Sequence, residues 1–342
     1  MNVAVFLPNW IGDAVMATPA LRALRTHFRG ARVVGVMRPY VAGVLEGGDW
    51  FDEAVPSRGV FAVAWRLRRL GTDLAVLLPN SFRSALAARL GGCRRRVGYA
   101  RYGRSPLLTD ALPPRRDEDG RLAVSPVLDA YNLLAEHVGC PRPGRLMELF
   151  TTPKDERAAD AVWERAGLDV HHEVICLNPG AAFGAAKHWP ADYFAALARD
   201  LAVKRGSGVL VVCGPSEAEL ARAIAAQAAH PAVHALSDLT VTAGEGPRLS
   251  LGLTKACVRR ADLLVTTDSG PRHFAAAFDR PVVTLFGPTH VAWTETYHPR
   301  AVHLQKKVDC GPCQRRVCPL DHRCMTRLTP AEVYAAAERL LH

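Results

Sequence analysis

The feature that most constrains the fold is a rhythm. Short, unbroken apolar runs alternate with segments of helical periodicity, and the alternation breaks off once and then begins again. VAVFL (3–7) precedes a helix predicted over 14–28, RVVGVM (32–37) one near 39–46, and DLAVLLP (73–79) one over 81–90. A Pro/Arg/Asp-rich loop is expected at 103–120, and a helix over about 125–138 resumes the pattern. GCPRPGRLMELFTTP (139–153) reads as a connection carrying a short strand, and the helix after it, over 154–167, stops at Gly167. Then EVICLNPG (173–180) restarts the rhythm with a helix over 190–204. It continues through GVLVVCG (208–214), a helix over 216–229, a strand near 232–235 and a helix over 250–259. DLLVTTD (262–268), a helix over 271–278, PVVTLFG (281–287) and a last helix over 330–341 complete it. Apolar runs without period-two alternation belong to strands covered on both faces, and their alternation with helices belongs to βαβ units in a parallel sheet.

At 342 residues the chain exceeds one ordinary core, and a domain size of about 150 residues predicts two. The expectation is therefore α/β: two doubly wound halves, with ligands at the carboxyl ends of the strands and a cleft between the halves. No apolar stretch reaches the roughly 20 residues a spanning helix needs. No basic segment followed by a long apolar one opens the chain, so a cytosolic protein is expected. The net charge of +10 comes mostly from arginine and points to an anionic partner: nucleic acid, a phosphorylated small molecule or a lipid surface. An arginine-rich composition alone accounts for scattered residues, but less well for the cluster Arg94-Arg95-Arg96, Arg101 and Arg104. Aromatic residues make up only 7%, and no stacking platform or nucleic-acid motif is visible, so no nucleic-acid partner is expected.

Three strand-to-helix loops carry chemistry. In the first, Asn9-Trp10-Ile11-Gly12-Asp13, Pro8 ends a strand and Gly12 permits a close approach. Asp13 stands directly before the predicted helix, either to cap it or to offer a carboxylate that deprotonates a hydroxyl; the two are compatible. In the second, NPGAAFGAAKHWP (178–190), small residues let backbone amides approach an anion and Lys187 adds a point charge. In the third, TTDSGPRHFAAAF (266–278), a strand ends at Asp268, Ser269-Gly270 turns, and Pro271 opens a helix whose first amides suit a phosphate, with His273 in the first turn. Neither G-x-G-x-x-G nor a Walker loop is present. Together the loops suit transfer of a group away from a nucleotide diphosphate, with Lys187 and helix amides stabilising the leaving phosphate. None of these three loops resembles an Asp-x-Asp metal motif, so the chain's own positive groups are expected to take the metal's place, and no catalytic cofactor is expected.

NWIGDAVMATPALRALR, LLPNSFRSALAARLGG, KHWP and TTDSGPRHFAAAFDRPVVTLFGPT, in that order, resemble the bacterial lipopolysaccharide heptosyltransferases of glycosyltransferase family 9, most closely their heptosyltransferase II branch. The resemblance implies a glycosyltransferase-B fold, two Rossmann-like domains facing across a cleft, and an inverting single displacement with ADP-L-glycero-D-manno-heptose as donor. It implies that Asp13 is the general base and Lys187 the donor-phosphate lysine. Asp268, Ser269, Gly270, Pro271 and His273 then form the donor-diphosphate and heptose site. Acceptor-side candidates are Asn9, Trp10, Gly12, Asn80, Ser81, Arg83, Arg94, Arg95, Arg96 and Arg101. The implied acceptor is the phosphorylated, heptosylated Kdo–lipid A inner core, which puts the protein at the inner face of the inner membrane as a peripheral enzyme. Residues 1–168 are then the acceptor domain and 169–328 the donor domain, with 329–342 a helix that has the option of packing back on the first. Arg272 departs from a small or apolar residue in many relatives, and 237–249 is longer than usual.

Nine cysteines in a cytosolic chain argue against a disulfide scaffold. Cys93, Cys140, Cys176, Cys213 and Cys257 read as small core residues. Cys310, Cys313, Cys318 and Cys324, with His322 and His303 nearby, leave three readings: reduced thiols in a packed loop, a structural zinc site or disulfides. Two other functions remain beside the leading one: a relative using another nucleotide sugar or acceptor, and a non-catalytic basic binding module.

Overall fold

A computed structural model describes residues 1–241 and 246–342. By contacts the chain divides into two units, Met1–Phe150 with Ala292–Tyr297, and Thr151–Val291 with His298–His342.

The first unit runs β1 (Asn2–Phe6), α1 (Ile11–Met16), α2 (Thr18–His27), β2 (Arg32–Met37), α3 (Pro39–Leu45), β3 (Glu53–Pro56), α4 (Val60–Leu70), β4 (Leu74–Leu77), α5 (Phe82–Leu90), β5 (Arg95–Tyr99), β6 (Asp110–Leu112) and α6 (Val127–His137). Its six strands form one parallel sheet in the order β3-β2-β1-β4-β5-β6. The apolar runs became the central strands: every residue of β4 and all but the first of β1 and β2 are buried. Helices on both faces exclude water from such strands, which is why they carry Val, Ala and Leu without alternation. On one face, Val63 and Leu67 of α4 and Ala85, Ala87 and Ala88 of α5 join Ala75 and Leu77 in a single core.

The second unit runs α7 (Pro153–Ala166), β7 (Val174–Asn178), α8 (Ala191–Arg205), β8 (Gly208–Val211), α9 (Ala218–Ala228), β9 (Val233–Ala235), α10 (Leu251–Arg260), β10 (Leu263–Thr267), α11 (Pro271–Ala277), β11 (Val282–Phe286), β12 (Ala301–Gln305), α12 (Arg323–Thr326) and α13 (Pro330–Leu341). Its parallel sheet has the order β12-β11-β10-β7-β8-β9. Thr152 opens α7 with a capping box to Asp155, and Thr329 opens α13 with one to Glu332, each satisfying backbone donors a helix start leaves unpaired.

The structure departs from expectation in several places. The boundary falls before α7, not at 168, because α7 packs on α10 and its Glu156 pairs with Arg259 and Arg260. The C-terminal helix α13 belongs to the second unit, where it packs on α8, β10 and β11. The connection at 139–153 carries no strand: Pro141 and Pro143 bring no N–H, and the segment is held instead by the Glu148 N–H donating to the Thr18 hydroxyl at 3.1 Å. The loop expected at 103–120 contains β6. Strands β3, β6 and β12 lie at or near sheet edges and are only partly buried, so their sequences lack a long apolar run. Among the described residues no helix is long and apolar enough to cross a membrane.

Leu67 has no exposed surface at the α4–α5 contact. Leu67→Ala is expected to lower the unfolding free energy by about 2–5 kcal/mol, the usual cost of a cavity at a leucine site. Urea unfolding of the full chain measures it, and a loss well under 1 kcal/mol would remove α4 from the core.

Candidate active site

In each unit the chain leaves the sheet centre in opposite directions. From β1 it proceeds to β2 on one side, and from β4 to β5 on the other. Loops leaving the carboxyl ends of β1 and β4 therefore diverge, and side chains between them have room around them. β7 and β10 stand in the same relation in the second unit. Asp13, Asn80, Lys187 and Asp268 follow these four strands, while the arginines 94–101 lie on and around β5.

After β1, α1 begins at Ile11 with Trp10 in the extended conformation before it and no side-chain cap. Asp13 thus lies within the first turn, and the expectation that it caps the helix from outside is not met. A carboxylate in a first turn is favoured by the helix dipole. The charge of Asp13 also reaches Tyr131 of α6: burial, and then this charge, push the Tyr131 phenol well above its ordinary value. Asn9 and Trp10 are exposed, Gly12 and Asp13 half-buried, and the Tyr40 hydroxyl donates to the Asn9 carbonyl at 2.6 Å.

The arginine cluster is not one surface. Arg104 has no exposed area, and its guanidinium donates to the carbonyls of Tyr99 (2.9 Å) and Pro79 and to Asn80 Oδ1 (3.1 Å). It thereby ties the ends of β4 and β5 together; burial, then the charge of Arg101, pull its pKa down to about 10. Arg96 donates to the carbonyls of Cys93 (2.6 Å) and Leu107 (2.7 Å), and Arg95 pairs with Asp110 at 3.2 Å. Arg94 is exposed, 3.7 Å from Asp73, and Arg101 lies over the Tyr102 ring at 4.9 Å. Ser81 caps α5, accepting from the Ser84 N–H at 3.4 Å, and Arg83 is exposed.

The second unit gathers its candidates more tightly. Lys187 Nζ donates to Asp268 Oδ2 at 2.6 Å and to the Asp268 carbonyl at 2.9 Å. Thr289 Oγ1 donates to the same Oδ2 at 2.6 Å, and Arg272 lies 3.5 Å from Oδ1. Burial alone would raise the Asp268 pKa, but Lys187 and Arg272, with the hydrogen bonds from Lys187 and Thr289, hold it below the ordinary carboxylate range. Two cations against one carboxylate leave a surplus positive charge. Arg272 is 1% exposed, stacks over the Phe286 ring at 4.9 Å and approaches His303 Nε2 at 3.5 Å. It is an interior counter-charge, not a group presented at a surface. His273 is buried, and burial followed by repulsion from Arg272 drives its pKa far down, so its ring is neutral; Nδ1 has no hydrogen-bond partner among the described residues. Asn178 Nδ2 donates to Thr266 Oγ1 (2.9 Å) and Ser269 Oγ (2.8 Å), and Thr267 Oγ1 to the Gly180 carbonyl (2.7 Å), which binds the two loops together. Gly270 precedes α11 and Pro271 opens it.

A brace from the cysteine-rich segment holds the Lys187 loop. The Ala186 N–H donates to the Arg316 carbonyl at 3.0 Å, and His322 Nε2 lies 2.8 Å from the Ala186 carbonyl. Gly184, at φ 152°, lies so close to the Arg316 carbonyl that a Cβ would collide with it. All nine cysteines are free thiols, with Cys310 and Cys313 exposed, Cys318 half-buried and Cys324 buried. Among the described residues no group of three or more His, Cys, Asp or Glu is placed to hold a metal ion, so neither the zinc nor the disulfide reading finds support. The histidines are engaged elsewhere: His322 on the Ala186 carbonyl, His303 on β12 beside Phe286 and Arg272. Sequence reasoning did not single out Thr289, although it ends the last of the four resembling motifs, and it missed the sealed role of Arg104. Of the 237–249 segment, residues 242–245 lie outside the described residues; Val241 N–H donates to the Pro247 carbonyl at 2.8 Å.

Two parallel doubly wound units, each with candidate residues at its switch point, place those residues where sheets of this class bind their ligands. The family model for glycosyltransferase family 9 (heptosyltransferase) matches residues 60–323. The chain is 30% identical to lipopolysaccharide heptosyltransferase 2 of Salmonella typhimurium, over 86% of this chain and 85% of that one. It is 26% identical to lipooligosaccharide heptosyltransferase 2 of Campylobacter jejuni, over 100% and 98%. The solved structure of E. coli ADP-heptose LPS heptosyltransferase II superposes with a TM-score of 0.78 at 25% identity, covering 100% of this chain and 98% of that one. The chain belongs to glycosyltransferase family 9, and its fold is the glycosyltransferase-B fold.

Removing the Asp268 charge leaves Lys187 and Arg272 buried without their partner. Asp268→Asn is expected to cost about 3–5 kcal/mol. Because the native pKa is depressed, the carboxylate's contribution is complete above its unfolded pKa and is lost as pH falls through the native one. The stability gap between the parent and Asp268→Asn should therefore be full at neutral pH and close only below the ordinary carboxylate range. A gap independent of pH down to strong acid would contradict the ion-pair account.

Proposed function

We propose that the protein transfers L-glycero-D-manno-heptose from ADP-heptose to the heptose–Kdo–lipid A inner core, with inversion at the anomeric carbon; its relatives are named lipopolysaccharide heptosyltransferase 2 and ADP-heptose LPS heptosyltransferase II. The observation that carries the reading is the end-to-end likeness to those relatives, with Asp13 at the switch point of one unit and the Lys187–Asp268 pair at that of the other.

On this reading the acceptor hydroxyl attacks the anomeric carbon and gives its proton to the Asp13 carboxylate. The bond from that carbon to the diphosphate oxygen breaks, and its electron pair leaves with ADP. An ammonium has three hydrogens. Two of those on Lys187 go to Asp268, and we assign the third to a donor phosphate oxygen, where charge grows in the transition state. Asp268, Thr289 and Arg272 then serve to hold Lys187 in place, through the ion pairs and hydrogen bonds that meet at the Asp268 carboxylate. Ser269, Gly270, Pro271 and His273 complete the donor side, and Asn9, Trp10, Gly12, Asn80, Ser81 and Arg83 the acceptor side. Arg94 and Arg101 remain acceptor candidates through their outer edges, while Arg95 and Arg96 act through the loops they hold. The lipid-borne acceptor puts the enzyme at the cytoplasmic face of the inner membrane.

Asp13→Ala is expected to lower kcat by at least roughly a hundredfold, the scale of a lost general base, while ADP-heptose binding measured by calorimetry stays within a few-fold. Normal turnover by the variant would leave Asp13 a helix residue only. Incubation with ADP-heptose and truncated acceptors bearing no heptose or one, read by mass spectrometry, tests the substrate. Addition to the one-heptose acceptor alone is expected, and addition to neither would overturn the assignment.

A further inference from the structure

A second arginine-rich stretch of the first unit lies outside the cluster at 94–104. Residues 57–72, SRGVFAVAWRLRRLGT, contain four arginines and no acidic residue. Most of this segment is α4, whose inner face (Val63, Ala64, Leu67) is in the core. Its outer face carries Phe61, 80% exposed, and Trp65, 58% exposed, with Arg68 and Arg69 exposed beyond them and Arg58 exposed just before the helix. The spacing 61, 65, 68/69 puts these helical residues on one stripe. Arg66, the fourth arginine, is off the stripe and paired with Glu53. The Arg69 guanidinium lies over the Trp65 ring at 4.8 Å.

A phenylalanine and a tryptophan one turn apart, held in water and bounded by arginines at both ends, match a helix lying in a lipid interface: aromatic rings at headgroup depth and guanidinium groups on phosphates. A second copy of this chain fits worse, because a two-fold contact would bring the same arginines against each other. We propose that the outer face of α4 docks on an anionic bilayer surface, with Phe61 and Trp65 entering the headgroup layer and Arg58, Arg68 and Arg69 binding lipid phosphates. This deepens the reading of a lipid-borne acceptor, and it assigns the contact to a helix outside the proposed catalytic groups.

The test is co-sedimentation of the full-length protein with vesicles of equimolar phosphatidylcholine and phosphatidylglycerol, and with phosphatidylcholine alone. The parent is compared with F61S/W65S and with R58Q/R68Q/R69Q. Binding to the mixed vesicles is expected to fall by roughly tenfold or more in each variant and to weaken with salt. In parallel, transfer from ADP-heptose to a water-soluble, delipidated one-heptose acceptor without vesicles should be equal in all three. Vesicle binding equal in parent and variants, no binding by the parent, or a change of oligomeric state in F61S/W65S on gel filtration would overturn the docking proposal. So would retention of a DNA oligonucleotide by α4 arginines in place of vesicles. If the soluble acceptor reacts while vesicles do not bind, only the docking proposal falls. If vesicles bind and no acceptor reacts, the heptosyl reading falls and the docking surface stands.

Discussion

Parallel pairing is the constraint from which the rest follows. When all strands of a sheet run the same way, every strand-to-helix loop emerges on one edge, and the chain must cross back through a helix each time. Chemistry carried on those loops is concentrated without any further device. Where two crossovers leave the sheet in opposite directions, the loops part and the space between them is open to a ligand. Both sheets here are wholly parallel and both have this reversal at their third and fourth strands, β1/β4 and β10/β7.

What the second unit adds is electrostatic. A carboxylate as buried as Asp268 survives ionised only because cations and a hydroxyl surround it. The reverse also holds: Lys187 is held at the strand end by a partner that lies on a different loop, so its position depends on how β7 and β10 pair, four residues in register from Leu263 to Thr266. Arg272 balances the carboxylate from within, and the neutral His273 adds no charge. The surplus positive charge is therefore a property of the group, not of a single side chain, and it suits a diphosphate.

How legible this was depended on what each residue's environment owes to its neighbours in sequence. The central strands announced themselves because burial on both faces demands continuous apolar runs. Asp13, Lys187 and Asp268 became candidates because each ends or follows such a run. The edge strands did not stand out: β3 and β12 have half-exposed residues and polar side chains and no continuous apolar run. The arginines show the limit most clearly. Arg104 and Arg69 look alike in sequence, yet Arg104 is enclosed by carbonyls from two strand ends while Arg69 lies on an outer helix face, and only tertiary contacts separate them. Phe61 and Trp65 are as apolar as their neighbours Val63 and Leu67 yet face outward, a difference that only the packing of α4 sets. Asp13 was read as a residue before the helix, and the helix begins at Ile11, three residues earlier than the expected start at 14.

The brace between the cysteine-rich segment and the Lys187 loop joins residues 136 positions apart, His322 and Ala186. During synthesis, β7 and its loop leave the ribosome long before their bracing partners exist. The surrounding sheet needs β10 and β11, and the loop itself needs the carbonyl of Arg316 and the ring of His322. The Lys187 loop is therefore among the last parts of the molecule to become whole, and a chain that stops short of its final thirty or so residues keeps Lys187 but not the scaffold that holds its loop.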